Sequence, residues 1–411
     1  MAEKLLSVKA AQRRILRIMS PVGAEKVPLA HALGRVLAAD VRSIAFPLFD
    51  NSSVDGFAVI ASDVLGAART SPCELHVVAD IPAGVRFGKK LKSGQAARIM
   101  TGAPMPPNAT AVVMLEDTDL AGRGNGSALP ATIRVYKAPV RGENVRRRGM
   151  DLRRGRKVLA TGQRLRAQDL GLLAMFGSST ALVYRRPRVA LLSSGNELAA
   201  PGRPLRAGEV RDTNSVTLGS LIAEAGGDLI PLGVARDNRS AIERLLERAV
   251  KMQADLIVSS AGVSVGAFDL VREAILAHGR LLFWRVNVRP GKPLAVGEYR
   301  GIPLIGLPGN PVSAFVGFEL FVRPALFRLG GASRLQRNLV HVIVGEHISS
   351  DGRESYLRAR VSRRGGSSVA MLTGHQGSGN LHSLVEANAL LMVPAGVKSL
   401  AVGDQADAWL F

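Results

Sequence analysis

At roughly 100–200 residues per domain, a 411-residue chain is expected to hold two to four domains rather than one hydrophobic core. Its 47% apolar and 21% charged composition argues against disorder, and no apolar run approaches the roughly 20 residues that a membrane helix needs. The 54 Lys and Arg against 33 Asp and Glu leave a net charge of +21, which favours anionic partners.

At the N-terminus, Val8, Ala11, Ile15, Leu16 and Met19 recur at helical spacing behind Ser7, a suitable N-cap. The stretch has neither the unbroken apolar block nor the cleavage site of an export signal. The single Cys73 cannot form an internal disulfide, so a cytoplasmic location is the expectation. HALGRVLAAD (31–40) reads as a second short amphipathic segment. The loop FPLFDNSSVDG then leads into a strand-like FAVI, and short β runs broken by Pro- and Gly-rich turns extend from Leu75 to Tyr136.

Residues 141–166 carry ten basic and two acidic side chains but no aromatic residue. Single-strand nucleic-acid binders pair basic grooves with stacking platforms, so this run reads as a solvated face or as the wall of a pocket for a small polyanion. RAQDLGLLAMFG (166–177) is helical and is expected to pack back against the first helix, making that domain discontinuous.

From Arg188 the texture changes. RVALLSSG, DLIPLGVARD, ADLIVSSAG and GIPLIGLPGN are strands of the buried type. They alternate with the helical stretches VTLGSLIAEAGG, SAIERLLERAVK, DLVREAILAHG and VSAFVGFELFVRPALFRL. That pattern predicts a largely parallel sheet covered on both faces, with the glycines after two of the helices supplying left-handed C′ positions. Short strands fill residues 338–411. The expected architecture is multidomain α/β plus β. A discontinuous helical N-terminal domain (1–45 with 141–186) carries a β-rich insertion (46–140). A doubly wound α/β domain (187–330) follows, and then a small C-terminal β-barrel-like domain (331–411).

Ligands of open parallel sheets bind beyond the carboxyl ends of the strands. There the chain places Ser193-Ser194-Gly195-Asn196-Glu197, Arg236-Asp237-Asn238, Ser259-Ser260-Ala261-Gly262-Val263-Ser264 with Asp269 beyond, and Leu307-Pro308-Gly309-Asn310-Pro311-Val312-Ser313. Glycines let backbone N–H groups approach a phosphate, and serine hydroxyls add neutral donors. Ser193, Gly195, Ser260, Gly262, Ser264, Pro308 and Asn310 are therefore candidate anion contacts. Glu197, Asp237 and Asp269 suggest a divalent cation, Mg²⁺ by preference, or a general base. Arg289-Pro290-Gly291-Lys292-Pro293 is a turn stiffened by two prolines, suited to holding an oxyanion. Neither GxGxxG nor GxxxxGK[ST] is present, and the seven histidines show no metal-ligand spacing. From chemistry alone, Asp55 reads as a turn former and Thr101 as a capping hydroxyl.

FDNSSVDGFAV, IMTGAPMP, NVRRRGMD, SSGNEL, VRDTN, SSAGVSVG, RPGKP and LPGNPVSA occur in this order. Together they resemble the molybdopterin molybdenumtransferases, the MoeA and gephyrin E-domain family, over essentially the whole chain. The resemblance implies insertion of molybdenum from molybdate into adenylylated molybdopterin, with hydrolysis of the phosphoanhydride, release of AMP and assistance from Mg²⁺. It further implies an elongated homodimer in which the α/β domain of one subunit meets the Asp- and Thr-bearing loops of the other. The expected partners are a molybdopterin adenylyltransferase and apo-molybdoenzymes, with neither membrane nor nucleic acid.

Carried over, Asp55, Thr101 and Asp151 match functional positions, as do Glu197, Asp237 and Asp269, the metal candidates. Arg289, Lys292 and Ser313 are the molybdate candidates, and Arg353 and Ser378 match in the C-terminal domain. Four residues depart from the pattern: Val54 for Met, Met150 for an acid, Ala261 for the first glycine of GGVS, and Arg289 for Lys. Adenylyl transfer onto molybdopterin and a non-catalytic scaffold are the alternative readings.

Overall fold

The computed structural model describes residues 5–122, 128–261 and 265–411, with the backbone alone for 261 and 265–269. The chain forms two compact units, one made of Met1–Ala39 with Thr161–Phe411 and the other of Asp40–Ala160.

The Asp40–Ala160 unit is built on a five-stranded sheet in the order Ala111–Met114, Gly56–Val59, Gln95–Ile99, Cys73–Ile81, Thr132–Val135. Gly56 is required by the pairing of its strand: a Cβ there would lie 2.0 Å from the Val113 carbonyl oxygen. That close approach fixes where Asp55 leaves the sheet.

The larger unit opens with α1 (Val8–Arg17), capped by the Ser7 side chain on the Ala10 N–H and burying Val8, Ala11 and Ile15. HALGRVLAAD forms no amphipathic helix. Gly34 adopts φ +73° after a single 3₁₀ turn at Leu29–His31, and the next residues form isolated bridges, Val36 to Arg164 and Leu37 to Val183. The strands Ala24–Pro28 and Thr180–Tyr184 pair antiparallel, and α2 (Ala167–Met175) precedes the second of them.

The α/β part contains β1 (Arg188–Ser194), α3 (Thr213–Glu224), β2 (Asp228–Ala235), α4 (Arg239–Lys251), β3 (Leu256–Ala261) and α5 (Val265–His278). It continues with β4 (Gly279–Arg285), β5 (Pro293–Tyr299), β6 (Ile302–Leu307), α6 (Pro311–Gly317) and α7 (Arg323–Leu329). The sheet order is β2-β1-β3-β6-β5-β4, parallel through β6 and antiparallel at β5 and β4. The chain runs outward to β2 and then returns past β1 to β3. The switch point therefore falls between β1 and β3, where ligands of such sheets bind.

Alternation along each strand feeds two cores. Val189, Leu191, Val258 and Ile305 join α1, α3, α6 and α7 on one face, while Ala190, Leu192, Ile257 and Leu304 join α4 and α5 on the other. Gly226 ends α3 at φ +86°, as expected. Gly279 does not act as a left-handed cap. It begins β4, and a Cβ there would strike the Glu298 carbonyl oxygen at 1.8 Å, so close strand pairing is what demands glycine.

Between α6 and α7 the helix widens into one π-helical segment, Phe318–Val322. Pro324 lacks the N–H that would reach the Leu320 carbonyl at i−4, and the Gln12 side-chain amide of α1 donates to that oxygen at 2.9 Å. Beside it, the fully buried Glu319 accepts two hydrogen bonds from Arg323, at 2.9 and 2.8 Å, and two from Arg337.

The C-terminal strands β7 (Leu339–Val344), β8 (Glu354–Arg364), β9 (Ser367–Leu372), β10 (Ala389–Val393) and β11 (Gln405–Leu410) close on themselves. The pairings run β8-β9-β7-β11-β10 and back to β8, a five-stranded barrel. A short α8 (His382–Glu386) lies between β9 and β10. No described helix is long and apolar enough to cross a membrane.

Two stability tests follow. Replacing Gln12 by Leu leaves the Leu320 carbonyl short of a donor and is expected to cost about 1–3 kcal/mol. Replacing Glu319 by Ala leaves Arg323 and Arg337 with the exposed Glu224 as their remaining acidic partner and is expected to cost about 3 kcal/mol. Chemical denaturation of each variant beside the parent chain checks both.

Candidate active site

In the α/β part, the strand-end loops are tied to one another by polar side chains. At the end of β1, Ser193 Oγ donates to Asp212 Oδ1 at 3.3 Å and lies 3.0 Å from Ser215 Oγ. Asp212 is the N-cap of α3, accepting the Ser215 N–H at 3.0 Å and its hydroxyl at 2.5 Å. At the end of β3, Ser260 Oγ accepts from the Asn214 side-chain amide at 2.7 Å, and the same nitrogen donates to the Gly309 carbonyl at 2.7 Å. Ser193 and Ser260 therefore use their hydroxyls in ties to α3. Their neighbours Ser194 and Ser259 point to the opposite face, and both hydroxyls are buried without a hydrogen-bond partner among the described residues.

Gly195 and Glu197 lie close together: a Cβ on Gly195 would meet the Glu197 carboxylate oxygens at 2.8 and 2.9 Å. Asn196 and Asp237 exchange hydrogen bonds, Asn196 N–H to Asp237 Oδ2 and Asp237 N–H to Asn196 Oδ1, each at 3.2 Å. This joins the loops after β1 and β2. Asp237 Oδ1 is buried with no hydrogen-bond partner among the described residues. Among the described residues no three Asp, Glu, His or Cys side chains converge as a metal cage. Two loop carboxylates, one with an unsatisfied oxygen, still fit Mg²⁺, which typically takes one or two carboxylates and completes its shell with water and phosphate oxygens. Gly262, Ser264 and the Asp269 side chain lie outside the described residues.

The RPGKP and LPGNPVS loops abut. Gly291 adopts φ +100°, and a Cβ there would sit 3.5 Å from the Ser313 carbonyl and 3.8 Å from the Pro308 ring. Val286 N–H donates to the Lys292 carbonyl at 3.0 Å, closing the base of the turn. The Lys292 side chain is exposed, whereas Ser313 is buried. Asn310 donates from its amide to Ser378 Oγ at 2.9 Å, and Val312 N–H donates to the Ser378 carbonyl at 3.0 Å, so the barrel loop docks on the start of α6.

Arg353 donates to the Val288 carbonyl at 3.2 Å and pairs with Asp351 at 2.6 Å. It thereby holds the two-residue strand Val288–Arg289 alongside the start of β8. The Arg353 hydrogen bond, with help from the charge of Arg289, keeps the Asp351 carboxyl below its ordinary range despite some burial.

Sequence reasoning passed over four residues here. Asp212 and Asn214 were visible only as part of VRDTN, with Ser215 just beyond it; an N-cap aspartate three residues before a serine is the local signal that marks them. Arg358 left no signal. It is 0% exposed on the outer face of β8, opposite the barrel-core residues Leu357 and Ala359, where it donates to Ser383 Oγ at 3.0 Å and to the carbonyls of Gln376, His375 and Gly377 at 3.3, 3.3 and 3.0 Å. Burial, reinforced by the nearby Arg289 charge, pushes its guanidinium down to about 10. Arg358 thus fixes the loop that carries Ser378.

In the other unit, Asp55 Oδ1 accepts from both the N–H and the hydroxyl of Thr101, each at 2.7 Å. The turn is shaped by Ser52, whose hydroxyl donates to the Val54 carbonyl at 2.5 Å and whose carbonyl accepts the Gly102 N–H at 2.8 Å. Asp151 pairs with Arg146 at 2.5 Å, and Asp50 Oδ1 accepts the Arg148 N–H at 2.7 Å. Some charges of the basic run are thus held in loop structure.

Replacing Arg358 by Met keeps volume but removes the one group that ties the carbonyls of Gln376, His375 and Gly377 to β8. The Val312 amide, which bonds Ser378, is expected to exchange with solvent about 10-fold faster or more, as hydrogen exchange at that site reads directly.

Comparison with known proteins agrees with this arrangement. Residues 6–177 match the MoeA N-terminal region (domains I and II), 190–328 a probable molybdopterin binding domain, and 342–411 the MoeA C-terminal region (domain IV). Molybdopterin molybdenumtransferase 2 of Mycobacterium tuberculosis is 37% identical over 98% of this chain and 99% of its own. The molybdopterin molybdenumtransferase of a Nostoc species is 36% identical over 92% of this chain and 87% of its own. A crystal structure of the molybdopterin biosynthesis MoeA protein of Pyrococcus horikoshii superposes with TM-score 0.86 at 33% identity, covering 99% of both chains. This chain belongs to the MoeA family.

Proposed function

We propose that this chain acts in molybdenum cofactor biosynthesis as a molybdopterin molybdenumtransferase. It takes molybdenum from molybdate into adenylylated molybdopterin and releases AMP by hydrolysis of the phosphoanhydride. The observation that carries the reading is the packing of the RPGKP turn on the LPGNPVS loop, which brings Gly291, in the turn that carries Arg289 and Lys292, against the buried Ser313. Two cations and a hydroxyl on stiff loops suit a tetrahedral dianion, with Arg289 offering a planar fork and Lys292 a point charge. The names of full-length relatives support the same activity. MoeA regions on both sides of the α/β domain favour insertion over simple adenylyl transfer.

The nucleotide end of the substrate is assigned to the loops after β1, β2 and β3. Gly195 and the neighbouring backbone accommodate phosphate oxygens, and the orientation of Asp237 is fixed by Asn196. Glu197 and Asp237, with Asp269, would hold Mg²⁺, which supplies Lewis-acid polarisation of the phosphoanhydride. Asp55, oriented by both donors of Thr101, and Asp151 are assigned to complete the site from a partner subunit of a homodimer. The basic surface draws the anionic substrates in. The enzyme is assigned to the cytoplasm, taking substrate from a molybdopterin adenylyltransferase and serving apo-molybdoenzymes.

Incubation with adenylylated molybdopterin should give AMP only when molybdate is added. Chelation with EDTA should slow release, and added Mg²⁺ should restore it. Replacing Lys292 by Ala should raise KM for molybdate by about 10-fold or more while the fold is retained. AMP release indifferent to molybdate would refute the assignment.

A further inference from the structure

Parallel strands fix the positions of their ends, but not of the loops that leave them. β3 and β6 are neighbours, with Ser260 in register with Leu307, and from these ends the chain departs into two different ligand loops. Gly309, in the second loop, has no side chain, so only its backbone can be held from outside. Asn214 holds it. Asp212 caps α3 and sets the first helical turn, which buries Asn214 to 8% exposure. From there one amide nitrogen reaches Ser260 Oγ and the Gly309 carbonyl, both at 2.7 Å.

A primary amide offers two divergent N–H donors on one atom. Serine or threonine offers one, and an ionised aspartate none. Beyond Gly309 the tie continues: Asn310 donates to Ser378 Oγ, and Gly291 of the RPGKP turn rests on Pro308 and Ser313.

We propose that Asn214 is a positioning residue: through its paired bonds to Ser260 and Gly309 it sets the spacing between the end of β3 and the LPGNPVS loop, and so the seat of the oxyanion. The proposal rests on the molybdate assignment for its kinetic consequence, but its structural consequence stands apart from that assignment. Asn214 touches no reacting atom in this scheme and acts through Gly309. Misplacing reacting groups by about 1 Å can cost on the order of 100-fold in rate, so a tie of this kind is expected to register in kinetics.

The test compares Asn214→Asp, which keeps the shape but turns both donors into acceptors facing a carbonyl, with Asn214→Ser, which keeps one donor. KM for molybdate should rise about 10-fold or more in Asn214→Asp and by an intermediate factor in Asn214→Ser, while KM for adenylylated molybdopterin stays within about twofold. A purely structural role would lower the melting temperature and the amount of active enzyme without separating the two KM values. Equal changes in both KM values, or none, overturn the proposal. Amide exchange at Val312, measured without substrate, is the second arm. It should accelerate in Asn214→Asp, and unchanged protection overturns the proposal whatever the kinetics. Absence of molybdate-dependent AMP release from the parent chain, with Val312 exchange still accelerated in Asn214→Asp, would sink the assigned reaction and leave the loop tie standing.

Discussion

The whole site depends on the pleat of a sheet that is buried on both faces. Side chains alternate along each strand, so consecutive residues at a strand end belong to different layers of the protein. The two Ser-Ser pairs make this concrete. Ser193 and Ser260 fall on the α3 side and are tied there by Asp212, Ser215 and Asn214. Ser194 and Ser259 fall on the α4 and α5 side with buried hydroxyls that find no partner among the described residues.

The polar interior separates into two kinds. Glu319 and Glu224 with Arg323 and Arg337 form a neutralised ionic cluster far down the helices, where four hydrogen bonds answer the Glu319 carboxylate. Arg358 is the opposite case: a fully buried cation answered only by carbonyls and a hydroxyl, with its pKa pushed down to about 10. The first holds helices together. The second holds a loop and leaves net positive charge on the outer face of the barrel near Arg289, consistent with a site for anionic ligands.

Much of the architecture was legible because it follows from periodicity. Continuous apolar strands between amphipathic helices imply the α/β sheet, and the eight ordered motifs identify the family. Glycine was less legible, since one residue type answers several needs. Gly226 after α3 is a left-handed cap as its position suggested, whereas Gly279 after α5 is demanded by a neighbouring carbonyl that only tertiary structure brings near. HALGRVLAAD carried a helical pattern but was overruled by Gly34 and by pairing with distant Arg164 and Val183. For the site, loop identities were readable, but which side chain ties which loop was not. The Asn214 bonds join residues 46 and 95 positions apart, and Arg358 sits on a strand whose inward and outward residues depend on how the barrel closes.

The hydrogen bond from Gln12 to Leu320 carries a consequence for how the N-terminal helix finds its seat. A regular helix presents a closed ladder on which another helix packs by shape alone, and neighbouring registers one turn apart differ little in energy. Pro324 opens a gap in that ladder at a single height, and α1 carries the one amide that answers it. The defect thus serves as an address, discriminating the correct register of α1 from its sliding alternatives. Positions 12 and 324 are accordingly expected to drift as a pair: a residue with an N–H at 324 would erase the address, and α1 would then rely on its apolar face alone.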